Sequence, residues 1–243
     1  MPYVGGVDLP EIAWDRYRNI VVLTGAGISV ASGLRPYRGP GGLWAEVDVA
    51  ALSSAAALRA DPRRVWAFHA EAARAVAAAE PNAAHVALAR LEARLGTGQS
   101  LLVITQNVDG LHQRAGSRAV VELHGSLARA RCSAECGETA AMTTAECPAC
   151  GRCGAPMRAD VVLFDEPMPV EPEWRCKRAL RDCDLFVAVG TSGTVTPAAN
   201  FVRSAKYAGA RTISVNREAM SPRHPDFDEE VLGRAEDLLP RLV

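Results

Sequence analysis

Long apolar runs are missing from this chain. None reaches the roughly 18 consecutive apolar residues that a membrane-spanning helix requires, so no membrane association is expected. The opening stretch MPYVGGVDLPEIAWDR has neither a cationic start nor a continuous apolar segment, which speaks against a secretory leader and for a cytoplasmic protein. Charge of one sign is not in excess either: Lys and Arg number 27 against 28 Asp and Glu. Such a balance leaves no electrostatic footprint for nucleic acid or anionic membrane, so a polymer partner is expected to be protein. Missing too is the cysteine pattern of a disulfide scaffold. The seven cysteines are an odd count, and five of them crowd between residues 132 and 153, which suits a metal site better than bridges spread over a secreted domain.

What is present is ordinary globular material. With 243 residues, 49% hydrophobic and 23% charged, the chain can bury one large core and still carry an inserted module. Short β-branched runs recur, each closed by turn residues: 20–24, 101–105, 119–123, 185–189 and 211–215. Apolar runs of this kind, spaced for crossover helices, predict a doubly wound α/β fold with a mostly parallel sheet covered on both faces. Two stretches break the alternation. The first, from about Gly41 to Leu95, is alanine-rich and helical, with Asn82 placed to cap a new helix after Pro81. The second, from about Ala128 to Met157, holds the cysteine cluster and has too few large apolar residues for a core of its own, so a bound metal is expected to organise it.

Thr24-Gly-Ala-Gly-Ile-Ser29 joins a strand to a helix, where backbone N–H groups can meet a pyrophosphate. The third glycine of the usual fingerprint is replaced by Val30, and no acidic residue closes a second strand about 20 residues on to hold a ribose. A tight turn without a ligand would read the same way. Thr105-Gln-Asn-Val-Asp-Gly-Leu-His112 sets an amide and a carboxylate at a strand's carboxyl end, a position that serves ligand binding or a simple helix cap by Asn107 or Asp109. In Val121-Glu-Leu-His-Gly-Ser126, His124 ends another strand, with Gly125 beside it expected to let a ligand approach. Among the five histidines, His69 and His85 fall in the helical insert, His224 in a proline-rich loop, and His112 where it would orient its own loop. Cys132-x3-Cys136 and Cys150-x2-Cys153 are spaced as a four-thiolate zinc site, although Cys147 forms a competing C-x-x-C with Cys150. Cys176 and Cys183 stand apart and are expected to be packed.

In combination these segments resemble the sirtuins. GAGISVASGLRPYRGPGGLW is similar to the family's NAD-binding loop, TQNVDGLH to its TQNxDxLH signature, and ELHGS to the context of its histidine. Val189-Gly-Thr-Ser-Gly-Thr-Val-Thr-Pro-Ala-Ala199 resembles GTSxxVxPAA, and Cys150-Gly-Arg-Cys-Gly-Ala-Pro-Met-Arg158 resembles CPxCGxxxRP, which favours Cys150 and Cys153 over Cys147.

The resemblance implies a Rossmann-like NAD-binding domain over residues 1–40, 96–127 and 158–243, with 41–95 and 128–157 forming a smaller domain. It also implies NAD-dependent removal of acyl groups from lysines of proteins or peptides. His124 would be the base, with Asn107 and Asp109 catalytic beside it. NAD would be bound by Gly25, Ala26, Gly27, Ser29, Tyr37, Arg38, Gln106, Asn107, Asp109, Gly190, Thr191, Ser192, Asn216 and Ala235. Structural zinc would sit on Cys132, Cys136, Cys150 and Cys153. In the implied reaction the acyl-lysine oxygen displaces nicotinamide from the ribose, the histidine activates a ribose hydroxyl, and water releases lysine and O-acyl-ADP-ribose. The rival reading is ADP-ribosyl transfer or NAD hydrolysis in the same pocket. The oligomeric state is left open, a monomer being compatible with the sequence.

Two departures bear on substrate. The family's VVWFGE reads Val161-Val-Leu-Phe-Asp-Glu166, with Asp165 where glycine normally lets the peptide backbone approach. The Tyr and Arg with which one subgroup holds acidic acyl groups read His69 and Ala72, so neutral acyl groups are expected.

Overall fold

The computed structural model of the protein describes residues 9–36, 49–143 and 145–243. Its strands are β1 (Asn19–Thr24), β2 (Ser100–Thr105), β3 (Val120–Glu122), β4 (Gly125–Cys132), β5 (Thr139–Ala141), β6 (Met157–Val161), β7 (Leu185–Val189), β8 (Arg211–Asn216) and β9 (Glu229–Leu232). Its helices are α1 (Val49–Leu52), α2 (Ala55–Ala60), α3 (Pro62–Ala78), α4 (Ala83–Arg94), α5 (Leu111–Arg114), α6 (Val170–Arg181), α7 (Phe201–Tyr207) and α8 (Ala235–Leu242).

Six strands form one parallel sheet in the order β3-β2-β1-β7-β8-β9. The alternation of side chains explains why its strands are apolar throughout. Ile20 and Val22 of β1 join a core with α4 and α8 on one face, while Val21 and Leu23 join a core with α6 and α7 on the other. Strands covered on both faces have no polar side to show. Cys176 and Cys183 are buried in the second core. Strand order reverses between β1 and β7, and in open parallel sheets the crevice beyond the strand ends at such a switch is where ligands bind.

A second, antiparallel sheet, β5-β4-β6, carries Cys132, with Cys136, Cys147, Cys150 and Cys153 in the connections between its strands, and α3 lies across β4 and β6. Two expectations about the division of the chain need correction. Residues 83–94 were expected in the helical insert, yet Ala84, Ala87, Leu88 and Leu91 of α4 belong to the core of the large sheet, and α4 packs on α8. Asn82 caps the new helix after Pro81 and redirects the chain, so the helical insert ends near Ala78. Residues 158–161 were expected in the large unit, but as β6 they pair with β4 in the small sheet. No described helix is long and apolar enough to cross a membrane.

Candidate active site

Loops leaving β1 and β7 meet at the switch point, backbone against backbone. Gly25 N–H donates to Val189 O at 3.0 Å and Gly27 N–H to Gly190 O at 2.9 Å. A Cβ on Gly25 or Gly27 would lie 2.7 Å from Gly190 atoms, and one on Gly190, whose φ is +60°, would lie 2.5 Å from Ile28 N. The glycines are therefore required by the interlock of the two loops. The N–H groups of Gly25 and Gly27 are spent there, and that of Gly190 goes to Val215 O, so these glycine amides, against expectation, do not face a pyrophosphate. Ala26 starts the 3-10 turn that follows, and Ser29 is buried within it.

Ser29 is the hub of a buried polar network. Its hydroxyl donates to Asp109 Oδ2 at 2.7 Å and accepts from Asn107 Nδ2 at 3.1 Å. The Asn107 amide also reaches Gly25 O at 3.1 Å, and Asp109 Oδ1 accepts from Leu111 N at 3.0 Å. His85, expected in the helical insert, brings its Nε2 to 3.5 Å from Ser29 Oγ. Asn82 N–H donates to His85 Nδ1, so the neutral ring carries its proton on Nε2 and points it at the serine. Burial pulls His85 down to about 4 although the Asp109 carboxylate opposes it. His112 stacks edge-on against His85 at 4.9 Å and bonds Thr24 Oγ1 through Nε2 at 2.9 Å. Burial, then His85, lower it to about 3, so both rings are neutral at pH 7. The one sequence signal for His85 is its place in the cap of α4, three residues after Asn82.

His124 stands between β3 and β4, half-buried. Its Nδ1 lies 2.9 Å from Gln106 O. A carbonyl only accepts, so Nδ1 holds the proton and Nε2 keeps its lone pair. Burial pushes the His124 pKa below 6.5 against the pull of the Gln106 carbonyl. Gln106 also donates from Nε2 to Thr191 Oγ1 at 2.9 Å, linking the ends of β2 and β7. Gly125 does not leave room for a ligand, as had been expected: its φ is +84°, and a Cβ there would sit 2.1 Å from Asp160 O, so a neighbouring strand fills the space.

The structure thus gathers Gly25, Ala26, Gly27, Ser29, Gln106, Asn107, Asp109, His124, Gly190 and Thr191 at adjoining strand ends. Ser192 follows in the loop, its hydroxyl 2.8 Å from Thr194 Oγ1. Asn216 ends β8, two strands from β1 and roughly 10 Å along the sheet; its side chain bonds Ser214 Oγ. Ala235 opens α8 with its methyl in the core, so a ligand could meet only its backbone. Tyr37 and Arg38 lie outside the described residues.

Cys132, Cys136, Cys150 and Cys153 place their sulfurs within 4.8 Å of one another, with Cys132 to Cys153 at 3.4 Å and Cys136 to Cys150 at 3.5 Å. Four thiolates around zinc, each at ~2.3 Å, stand ~3.8 Å apart, so this donor set fits that ion with no position left for water. Cys147 points away and donates to Met157 O at 3.2 Å.

A model of the Sir2 family matches residues 25–197. A protein of Pyrobaculum aerophilum named NAD-dependent protein deacylase 2 is 47% identical over 230 residues, covering 93% of this chain and 90% of its own. Among solved structures, a Sir2 homolog in complex with NAD aligns with a TM-score of 0.85 at 36% identity, over 94% of this chain and 89% of that one. A Sir2 complex with a p53 peptide and NAD+ aligns with a TM-score of 0.81 at 29% identity, over 93% and 92%.

Proposed function

The chain belongs to the Sir2 family, and from that premise we propose that it removes neutral acyl groups from lysine side chains of proteins, consuming NAD as co-substrate. The observation that carries this reading is the state of His124: a neutral imidazole at a strand end, its Nδ1 proton held by Gln106 O and its Nε2 lone pair without a partner among the described residues. Proton removal from a ribose hydroxyl near neutral pH calls for such a base. NAD supplies the electrophilic ribose carbon. Asn107, anchored by Ser29 and Gly25, orients the ribose, and Asp109, held by Ser29 and Leu111, faces the carboxamide end. Thr191 and Ser192 offer hydroxyls to the phosphates, Asn216 reaches the adenosine ribose, and the Ala235 backbone closes over the adenine. Zinc on Cys132, Cys136, Cys150 and Cys153 takes no part in bond making; it holds the ends of β4 and β6. The seven unpaired cysteines suit a reducing compartment, so we place the activity in the cytoplasm.

Incubating the purified protein with NAD and an acetyl-lysine peptide tests this reading. Peptide-dependent O-acetyl-ADP-ribose is the expected product. Free ADP-ribose formed without peptide would favour NAD hydrolysis, and labelled ADP-ribose on protein would favour transfer.

A further inference from the structure

The turn after β6 is built against His124. Val162 N–H donates to His124 O at 2.9 Å, and the following residues are pinned one by one: Leu163 N–H to Glu166 Oε2 at 2.9 Å, Phe164 N–H to Ser53 O at 2.9 Å and Glu166 N–H to Leu163 O at 3.1 Å. Glu166 is clamped by the buried Arg158, which donates to both carboxylate oxygens and also to Val161 O at 2.7 Å. Of the five amides from Val162 to Glu166, only that of Asp165 has no partner among the described residues.

Asp165 is unusual in three further respects. Its φ is +68°, in the left-handed region that side chains other than glycine rarely occupy. Strain of that kind persists where the surroundings enforce it, and it clusters at functional sites. Its side chain is exposed, and its carboxylate makes no hydrogen bond or ion pair among the described residues. Around it the charges cancel, three against three: Arg158 and Arg131 face Glu166, Arg131 and Arg129 face Asp160, and Arg129 also faces Glu122. Asp165 is left as the one uncompensated charge of the turn, beside a free N–H and next to Phe164, which is 39% exposed.

We propose that Asp165 selects the substrate: an extended peptide pairing with its free amide brings the residues flanking the acyl-lysine under its carboxylate, favouring Lys or Arg there. Main-chain pairing of this kind sets a peptide's register and leaves specificity to side chains beside it. The inference rests on the deacylase reading and adds to it a class of substrate, acyl-lysine within basic sequence.

The test uses two acetyl-lysine peptides that differ only in carrying Arg or Glu on both sides of the modified residue. The expected ratio of kcat/KM is about fivefold in favour of the basic peptide at low ionic strength, the scale of an exposed ion pair, shrinking toward one in 1 M salt. Asp165→Asn keeps the size and the tolerance of left-handed backbone, so it is expected to fold and to bring the ratio close to one; Asp165→Lys is expected to reverse it. A wild-type ratio of one, or a ratio that survives in Asp165→Asn, overturns the inference while deacylation stands. If neither peptide is deacylated while NAD is cleaved, the deacylase reading falls and the inference with it.

Discussion

At the residue scale, the Gln106 carbonyl keeps the His124 proton on Nδ1 and leaves the lone pair on Nε2, and burial holds the ring's pKa below the ordinary value. A pKa below the ordinary 6.5 leaves the ring unprotonated as pH falls through the range where free histidine gains a proton. The acidic limb of kcat/KM against pH is therefore expected below pH 6.5, in a profile recorded with an acetyl peptide. His124→Ala should lower kcat by about 10²-fold or more, the usual worth of general base catalysis, while calorimetry still detects NAD binding; a variant with near-normal turnover would remove His124 from the chemistry. In the proposed reaction His69 and Ala72 stand where the acyl group would be read. Ala72 has no donor, and His69, bonded to Ser53 Oγ at 3.1 Å and lowered to about 4 by burial, is uncharged at pH 7. Neither side chain offers an acyl carboxylate a cation, and the Arg158 guanidinium felt by His69 is spent on Glu166. Acetyl peptide should be turned over about tenfold faster than succinyl peptide, and the opposite order in a mixed assay would refute this. The strand-end positions of His124, Asn107 and Asp109 were legible in the sequence because each comes shortly after an apolar strand. His85 was not: it meets Ser29 across 56 residues of chain, and helix periodicity says nothing about such a contact.

At the element scale, close backbone approach shaped the loops more than ligand binding did. A spacing of glycines reads alike whether a phosphate or another loop fills the space beside them, so the sequence left Gly25, Gly27 and Gly125 ambiguous. Only the position of Gly190 and Asp160 resolves them. Gly125→Ala would force both a left-handed alanine and a 2.1 Å contact, so β4 must part from β6 at that point. A loss of several kcal/mol is expected from such a clash, seen as a lowered denaturant midpoint, with deacylation falling further than stability because His124 adjoins the displaced residue. A variant as stable as the wild type would show that the strands can shift at little cost. The parallel strands were readable because burial on both faces makes them apolar from end to end. β9 was not, since an edge strand with Glu229 and Glu230 half-exposed lacks that signature. The helix 83–94 is legible in the sequence but its partner is not: its apolar stripe fits either core equally well until the turn at Asn82 aims it.

For the whole molecule, acidity and metal loss should act on different parts. His69, His85 and His112 are buried and neutral, with pKa values near 4, 4 and 3. The unfolded chain gains these protons near pH 6.5 and the folded one only well below, so the stabilisation is complete above 6.5 and is lost progressively as pH falls toward 4, about 3 kcal/mol for His69, with His85 acting in the same direction. A urea midpoint that holds steady from pH 7 to 5 would contradict this. Zinc removal should instead act through β4, which begins beside His124 and ends at Cys132, and through β6, which follows Cys153 and turns back to bond His124 O by Val162. The small sheet has little core of its own, so its strand ends depend on the four sulfurs being held together. The Ser29, Asn107 and Asp109 network belongs to the large sheet and does not depend on them. Chelation is therefore expected to abolish deacylation and add a separate low-temperature unfolding step, while NAD affinity falls by less than about tenfold because the large sheet still holds its site. Zinc released, turnover and NAD binding can be followed on one sample. Turnover persisting after all zinc is released would show that β4 holds His124 without the metal, and a parallel collapse of NAD binding would show that the two sheets fold as one unit.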